Sequence, residues 1–435
     1  MINLKKNYLS WHAAEKIIPG GNGLLSKRPQ RFLPGYWPTY YRKAKGVMIQ
    51  DLKKKWFIDM SIMGVGANIL GYANKFVDKN VKKAIDTSVT STLNCKEEFL
   101  LAKELLRIDK FANKVKFSRS GGEAMAMAVR LARAYKKKDL IAFSGYHGWH
   151  DWYLATNLKS NQNLKDHLLP GLNPLGVPKS LTDTIIPFKY NSIKEIKEIS
   201  KKNLAAIVVE GCRFQYPTKE FVKTINEICK KKNICLIVDE ITSGWRETVG
   251  GIYKKVGFKP DMIVYGKGIG NGYAISMVVG KNKYMEMANE TFMSSTSWTE
   301  KVGFVAAIST IKYFKKNKVH LKIKQQGLLL SKIWSEIAKI ANLDISINEF
   351  HPLCSFTLNY GKKNNYLYTL FTQEMLKRGY IASNTVYLSS EHKKKILLKY
   401  KKHCLEVFKI MKKSLNSKKN LLLGKIKSVD FKRLT

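Results

Sequence analysis

The chain has 435 residues, a length that corresponds to about two or three domains. Hydrophobic residues make up 45% and aromatic residues 11%, which excludes a mostly disordered chain because a sizeable core can be buried. Lysine and arginine number 77 against 33 acidic residues, so the formal net charge is +44. The lysines are spread along the whole chain beside apolar helical segments. We interpret the positive charge as a compositional bias, with the lysines on solvent-exposed helix faces, rather than as a nucleic-acid-binding surface.

Cysteine usage and the N-terminus predict a cytoplasmic protein. The six cysteines include no C-x-x-C pair, which argues against a disulfide framework and against a zinc site. The basic N-terminus is followed by the mixed residues 11–16, where a secretory signal would have an apolar segment. No stretch approaches the ~18 unbroken apolar residues of a membrane helix, so we expect no membrane partner.

The first 60 residues are rich in Gly, Pro and Tyr and predict mainly loops and turns. Within them, Val47–Asp51 and Trp56–Asp59 predict a hairpin around a lysine turn. Apolar residues at helical spacing then predict helices over 76–91 and 97–107.

Six short apolar runs, separated in places by clear helices over 122–137 and 219–232, dominate the middle of the chain. The runs are Val115–Phe117, Leu140–Phe143, Ala205–Val209, Cys235–Val238, Met262–Val264 and Ser276–Val279. Runs of this length and composition are typical of buried parallel strands. The alternation predicts an α/β fold, with a mostly parallel sheet and helices on both faces.

After about residue 315 the pattern becomes mixed, with a strand predicted over Leu353–Leu358 and helices over 364–378 and 391–413. We expect a second, smaller α+β domain there. The predicted organisation is an N-terminal segment that joins the small domain, a large domain, the small domain and a Lys-rich tail, over residues 1–65, 66–315, 316–415 and 416–435.

The residues that follow the strands carry the chemistry, because ligands of open α/β sheets bind at the carboxyl ends of strands. Ser120–Gly122 opens a helix after the first run, where backbone N–H groups can hold a phosphate or can simply form a turn. Tyr146 follows the second run and can stack on a planar ring. The same loop contains His147, His150 and Asp151, but a metal site there would lack any matching cluster elsewhere.

Two further strand ends provide an acid and an amine. Asp239 follows the fourth run, and a buried carboxylate needs a cationic partner such as a protonated pyridine nitrogen, unless it only caps the next segment. Lys267 lies in a glycine-rich turn after the fifth run, where burial would lower its pKa and allow a Schiff base. Pyridoxal 5'-phosphate has a group to match each of the four strand ends, namely phosphate, ring, ring nitrogen and aldehyde.

With these motifs the sequence resembles the class III aminotransferases of fold type I, in the branch close to glutamate-1-semialdehyde 2,1-aminomutase. The resemblance covers roughly residues 10–415. It rests on motifs in the family's order, including Pro19–Gly21, Ile69–Tyr72, Ser120–Ala124, Ala128–Arg133, Tyr146–Gly148, Asp239–Glu240 with Gly244 and Arg246, and Gly266–Gly268.

The resemblance implies a role for each site residue. Lys267 would form the Schiff base with the cofactor, Asp239 would pair with the pyridine nitrogen, and Tyr146 would stack on the ring. The full set of implied cofactor-binding residues is Ser120, Gly121, Gly122, Tyr146, His147, Glu210, Asp239, Lys267 and Thr296. In this set Glu210 lines the substrate side. Thr296 reaches the phosphate of the neighbouring subunit's cofactor, which implies a homodimer with shared active sites.

The sequence departs from the family at four places. Gly122 stands where Ser or Thr is usual, and Gly211 stands where Pro is common. Residues 295–300 lack the glycine-rich loop of the aminomutase, and Trp149–Asp151 replaces its His-Ala-Asp. The change at Gly122 implies the loss of one hydroxyl contact to the phosphate. The differences at 295–300 and at Trp149–Asp151 bear on the aminomutase assignment rather than on the cofactor.

Three functions therefore stay open. The first is a ping-pong aminotransferase that acts between an amino donor and a small or sugar-linked carbonyl acceptor. The second is the aminomutase, an isomerase that needs no separate donor. The third is a nucleic-acid-binding protein on a degenerate scaffold, which the presence of Lys267 and Asp239 disfavours. Arg28 and Arg31 are candidates to bind a substrate carboxylate, although either could be a surface arginine.

Overall fold

The computed structural model describes residues 8–167, 171–417 and 419–428. The chain divides into two compact units. The central unit is Lys75–His320, and the terminal unit combines Met1–Asn74 with Leu321–Thr435. No described helix combines the length and the apolar character needed to traverse a bilayer.

The strands of the described residues form three sheets. In chain order they are β1 (Tyr41–Lys45), β2 (Met48–Asp51), β3 (Trp56–Met60), β4 (Lys114–Ser118), β5 (Leu140–Ser144), β6 (Ile185–Pro187), β7 (Leu204–Glu210), β8 (Cys235–Asp239), β9 (Met262–Tyr265), β10 (Ser276–Gly280), β11 (Ile345–Ile347), β12 (Leu353–Leu358), β13 (Tyr380–Ala382) and β14 (Thr385–Tyr387). The central unit contains a seven-stranded sheet in the order β4-β10-β9-β8-β7-β5-β6. The terminal unit contains the sheets β1-β2-β3-β13 and β11-β12-β14.

The helices were only partly predictable. They are α1 (Tyr8–Ile17), α2 (Met63–Gly66), α3 (Lys75–Asp86), α4 (Lys96–Ile108), α5 (Gly121–Lys136), α6 (Asp151–Leu154), α7 (Ile193–Ile199), α8 (Lys219–Lys231), α9 (Tyr253–Val256), α10 (Asn282–Met285), α11 (Met287–Glu290), α12 (Lys301–Lys316), α13 (Val319–Ala341), α14 (Asn364–Lys377) and α15 (Lys394–Leu415). Helix α3 ends five residues before the predicted limit of 91. Neither of the long helices α12 and α13 was predicted: α13 falls in the region after about residue 315 where the sequence pattern is mixed, and α12 comes just before it.

The central sheet confirms the predicted α/β class, with one correction. Strands β5, β6, β7, β8 and β9 pair in parallel, and most of their apolar side chains are buried. The prediction that Ser276–Val279 is a parallel strand is wrong, because β10 is antiparallel to both β4 and β9. Residues 266–275 alone connect β9 to β10, and a parallel crossover needs about a dozen residues or more, usually with a helix.

Helix α5 is fixed at its start by local sequence. Ser120 and Glu123 form a capping box: the Glu123 backbone N–H donates to Ser120 Oγ at 3.4 Å, and the Ser120 N–H donates to Glu123 Oε2 at 2.7 Å. The helix then packs on β4, β7, β8, β9 and β10 through apolar side chains such as Met125 and Leu131. The N-terminus of α5 is thereby held at the carboxyl end of β4.

The terminal unit joins the two ends of the chain through one sheet. The predicted hairpin is confirmed, since β2 and β3 pair antiparallel with Met48 opposite Ile58. Strand β13 adds to β3 in parallel, with Tyr380 opposite Ile58. This pairing explains why residues near 60 and 380 belong to one compact unit. The predicted strand over Leu353–Leu358 is also present, as β12.

Candidate active site

Three strand ends of the central sheet converge on the side chain of Ile241, which follows β8. A Cβ atom on Gly121, at the start of α5, would lie 2.8 Å from Ile241 Cδ1. A Cβ atom on Gly266, after β9, would lie 3.4 Å from Ile241 Cγ2. The ends of β4, β8 and β9 therefore form one side of a common site, as expected for the carboxyl edge of an α/β sheet.

Lys267 lies in a strained turn directly after β9. Its φ of 47° falls in the left-handed region, an unusual conformation for a residue with a side chain, and such strain is frequent at functional sites. Its Nζ donates a hydrogen bond to Thr242 Oγ1 at 2.6 Å. Burial, and then the positive charge of Arg213, lowers the pKa of Lys267 to about 8, against an opposing effect of Asp239 and Glu210. The side chain is therefore an amine that loses its proton at a lower pH than an ordinary lysine.

Asp239 ends β8 and is only 4% exposed. Its Oδ2 lies 2.8 Å from Nδ1 of His147, and its Oδ1 accepts a hydrogen bond of 2.9 Å from the Ile241 N–H. The other nitrogen of His147, Nε2, lies 3.2 Å from the backbone oxygen of Ser144. His147 is fully buried behind the carboxylate, so its ring orients Asp239 from the protein side.

Glu240 is the second carboxylate at this strand end and faces a different environment. Its oxygens accept hydrogen bonds from Ser243 Oγ at 2.6 Å and from the Tyr253 N–H at 2.7 Å. Burial raises the pKa of Glu240 to about 7. Adjacent residues of an extended chain point to opposite sides. The Asp239 side chain therefore lies in the site with His147, whereas the Glu240 side chain is buried on the other side, against Ser243 and Tyr253.

Neighbouring side chains lie very close to the backbone of the two glycines in the first turn of α5. A Cβ atom on Gly122 would lie 2.7 Å from Cε1 of His150, so the imidazole occupies the space that a side chain would need. Gly121 is equally constrained by Ile241. The amides of a first helical turn have no partner inside the helix, and together with the helix dipole they favour an anion.

Tyr146, Glu210 and Arg213 form a second side of the site. The Tyr146 N–H donates to Glu210 Oε2 at 3.3 Å. Glu210 Oε1 lies 3.3 Å from Arg213 Nη1, and the Arg213 guanidinium carbon lies 5.7 Å from the centre of the Tyr146 ring. Glu210 is directly beside Asp239 in the register of β7 and β8, so this group adjoins the Asp239–His147 pair.

Thr296 is exposed in a short 3-10 helix, Thr296–Thr299, and the segment is tied to the start of α5. Arg119 donates hydrogen bonds to the backbone oxygens of Ser297, Trp298 and Glu300. The Trp298 indole N–H donates to Glu123 Oε1 at 3.2 Å. The segment that contains Thr296 is thus anchored beside Ser120, while Thr296 itself faces outward.

Sequence reasoning missed two residues of this site. Thr242, the hydrogen-bond partner of Lys267, follows Asp239 by three positions but carries no distinctive motif. Arg213 could have been found as a cation three residues past the strand-end Glu210. The candidates Arg28 and Arg31 lie in the terminal unit.

The family model for class III aminotransferases matches residues 34–381 of the chain. The chain therefore belongs to the class III aminotransferase family, which confirms the resemblance seen in the sequence. It is a pyridoxal-phosphate-dependent enzyme of fold type I, a transaminase or a closely related aminomutase.

Named relatives include both kinds of enzyme. A 3-aminobutyryl-CoA aminotransferase of Cloacimonas acidaminovorans is 30% identical over 350 residues, which cover 78% of this chain and 79% of the relative. A glutamate-1-semialdehyde 2,1-aminomutase of Nitrosopumilus maritimus is 31% identical over 348 residues, with coverages of 77% and 80%. The PLP internal aldimine form of the FumI protein of Sphingopyxis sp. MTA144 superposes with a TM-score of 0.84 at 21% identity, over 94% of this chain and 97% of that chain. This last similarity concerns the fold.

The residues of the site fit the groups of pyridoxal phosphate. An amine of lowered pKa, a buried carboxylate, an aromatic ring and the N-terminus of α5 are contributed by Lys267, Asp239, Tyr146 and Ser120–Gly122. Their chemistry matches the aldehyde, the ring nitrogen, the ring face and the phosphate, in that order.

We predict that Lys267 of the cofactor-free protein reacts with acetic anhydride with a midpoint near pH 8. Only the unprotonated amine reacts, so labelling should rise as the pH passes the lowered pKa from below. Peptide mass spectrometry at a series of pH values gives the midpoint. The same peptide from the denatured protein is the reference and should titrate near ~10.4, the ordinary value for lysine. Equal midpoints in the two samples would contradict the electrostatics of the site.

Proposed function

We propose that the protein is a ping-pong aminotransferase that moves an amino group between an amino donor and a small or sugar-linked carbonyl acceptor. The observation that carries this proposal is Lys267, an amine with a pKa near 8, beside the buried carboxylate of Asp239. The bound cofactor supplies an aldehyde that takes up the amino group and a ring that withdraws electrons.

Lys267 is proposed as the residue that moves the proton. With a pKa of about 8, roughly a tenth of its Nζ is unprotonated at pH 7, far more than for an ordinary lysine, so it can take a proton from the substrate carbon. The hydrogen bond to Thr242 Oγ1 gives Nζ a resting position when it is not covalently engaged. Burial and the positive charge of Arg213 destabilise the protonated form of Nζ and so lower its pKa.

Asp239 is proposed to hold a proton on the ring nitrogen. Its carboxylate is fixed from two sides, by His147 Nδ1 and by the Ile241 N–H, so it can form a short contact without rearranging. Tyr146 is proposed to cover one face of the ring. Ser120, Gly121 and Gly122 are proposed to hold the phosphate through the start of α5.

The aminomutase is a second candidate function, favoured by the relative from Nitrosopumilus maritimus at 31% identity. The two candidates differ in stoichiometry, since the aminomutase isomerises one substrate and the aminotransferase needs a donor and an acceptor. Incubation with panels of amino donors and carbonyl acceptors, separately and together, distinguishes them. Turnover only when both are present supports the aminotransferase.

Replacing Lys267 by Ala should abolish transamination, because the variant has no amine at the reacting carbon. The wild-type protein should purify yellow, and borohydride should bleach it and fix the cofactor covalently on the peptide that contains Lys267. The variant should retain cofactor only without a covalent bond. Lys201→Ala, at a side chain that is 69% exposed, is the control and should behave as wild type. Full activity in the Lys267 variant would overturn the proposed mechanism.

Asp239→Asn should leave the fold intact but lower the rate by orders of magnitude, because a ring nitrogen without its proton withdraws electrons poorly. The matched control is Glu240→Gln, the adjacent buried carboxylate that bonds to Ser243 and Tyr253. Single-turnover rates and far-UV circular dichroism should be measured for both. A rate for Asp239→Asn within a few-fold of wild type would mean that Asp239 is only structural.

We also propose that the enzyme is a symmetric homodimer in which Thr296 contributes to the partner's site. Thr296 is exposed, and the nearby Phe292 is 88% exposed, which is unusual for a large apolar side chain unless another surface covers it. The net charge of +44 does not prevent this, since salt screens charges over about a Debye length of ~8 Å.

Light scattering should therefore report a dimer at physiological salt that weakens at low ionic strength. Phe292→Ser should shift the equilibrium toward monomer, whereas Leu398→Ser, at a 47% exposed site on α15, should not. A monomer that keeps full activity at every concentration would contradict the shared site and the role of Thr296.

A further inference from the structure

We propose that Arg213 binds a carboxylate of the substrate, so that the amino donor, the carbonyl acceptor or both are carboxylic acids. This inference rests on the proposed function and adds a substrate class to it. The arginines considered from the sequence for this task, Arg28 and Arg31, are compared with Arg213 in the test below.

Arg213 lies at the ligand-binding edge of the central sheet. It follows the end of β7 by three residues, at the same sheet edge as Asp239. Its guanidinium carbon lies 5.7 Å from the centre of the Tyr146 ring and 5.5 Å from that of Phe214. The side chain is 31% exposed, so it lies at the accessible side of the site rather than in the core.

Arg213 also acts electrostatically on the amine of Lys267. After burial, the charge of Arg213 is the largest influence that lowers the pKa of Lys267. The guanidinium and Nζ therefore act on one another across the same sheet edge, at the adjoining ends of β7, β8 and β9. An anion held by Arg213 would lie at that edge, on the side of the site where Lys267 acts.

A substrate carboxylate can compete with Glu210 for the guanidinium of Arg213. Glu210 Oε1 lies 3.3 Å from Arg213 Nη1, longer than the 2.7–2.9 Å that is usual for a charge-assisted hydrogen bond. A substrate carboxylate in the planar two-bond arrangement would form a shorter and stronger pair. When the substrate has no carboxylate, Glu210 remains the partner, and the substrate gains nothing from Arg213.

Two other arginines of the central unit, Arg246 and Arg119, lack this combination of exposure and position. Arg246 is only 1% exposed, and its Nε donates to the Thr242 backbone oxygen. Arg119 holds the backbone of residues 297–300. Among these three arginines, Arg213 alone combines partial exposure with contact to the Tyr146 ring.

The test uses amine pairs that differ only by a carboxylate. L-Alanine and isopropylamine form one pair, and 3-aminobutanoate and sec-butylamine form another, with a methyl group in place of the carboxylate each time. The holoenzyme is mixed with each amine, and the half-reaction is followed by the absorbance of the cofactor. The variants are Arg213→Gln and Arg213→Lys, with Arg107→Gln as a control at a side chain that is 67% exposed.

Arg213→Gln should raise KM for the amino acids by roughly 10- to 100-fold, the usual range for losing hydrogen bonds to a charged group. The plain amines should change by less than about threefold. Arg213→Lys should recover part of the loss, because it keeps the charge but not the planar fork. An equal loss for both members of a pair, or no loss for either, would overturn the proposal. The proposal also fails if Arg28→Gln or Arg31→Gln gives the selective loss instead.

Failure of the proposed function has a different signature. A holoenzyme that reacts with none of the amines or acceptors contradicts the aminotransferase reaction. Arg213 is then judged without turnover, from the dissociation constant of butanoate measured through the cofactor's absorbance. A rise of roughly tenfold or more in Arg213→Gln supports carboxylate binding, and an unchanged constant refutes it.

Discussion

The site depends on one buried interaction, the pair of Asp239 and His147 at the end of the middle strand of the central sheet. A carboxylate that is 4% exposed is costly unless it is paired, and His147 together with the Ile241 N–H provides that pairing. The neighbouring strands then determine what surrounds it. The register places Glu210 beside Asp239 on one side, and Val264 beside it on the other, three residues before Lys267. Strand pairing, rather than a shared loop, therefore brings together the side chains of Asp239, Glu210 and Lys267.

The protonation of Lys267 reflects a balance between burial and the charges around it. Burial and the charges of Arg213 and Arg246 disfavour the protonated amine, whereas Asp239 and Glu210 favour it. With a pKa near 8, the amine is neither locked in its charged form nor freely basic. Glu210 contributes to this balance in two ways, because it attracts the proton of Lys267 and also partly neutralises Arg213. A change in the partner of Arg213 during a reaction would therefore alter the basicity of Lys267 at the same time.

The sequence predicted the α/β class and the strand-end residues because both depend on local patterns. Apolar runs such as Ala205–Val209 are long enough to identify buried strands, and the residue after a strand lies at the ligand edge for any parallel sheet. The direction of β10 is not encoded in its own apolar run but in the short connection from β9. Likewise, Thr242 acquires its importance only because Lys267 follows the neighbouring strand, and no spacing along the chain marks it. Arg213 is marked as a cation three residues past Glu210, but its place beside Tyr146 depends on the pairing of β5 with β7. The short edge strand β6 was missed for a simpler reason, since three residues show no period.

The contact of Gly122 with His150 has a consequence for how this sequence can change. Any residue larger than glycine at position 122 would meet the imidazole at 2.7 Å, and this holds as long as His150 keeps its place. The two positions are coupled, so the effect of a substitution at one depends on the residue at the other. If the residue at position 122 is enlarged first, the resulting variant has a steric clash with His150. If His150 is first replaced by a smaller residue, the space is open before position 122 changes. The order of the two substitutions is therefore constrained, and a library that varies only position 122 samples mainly variants in which the new side chain meets His150.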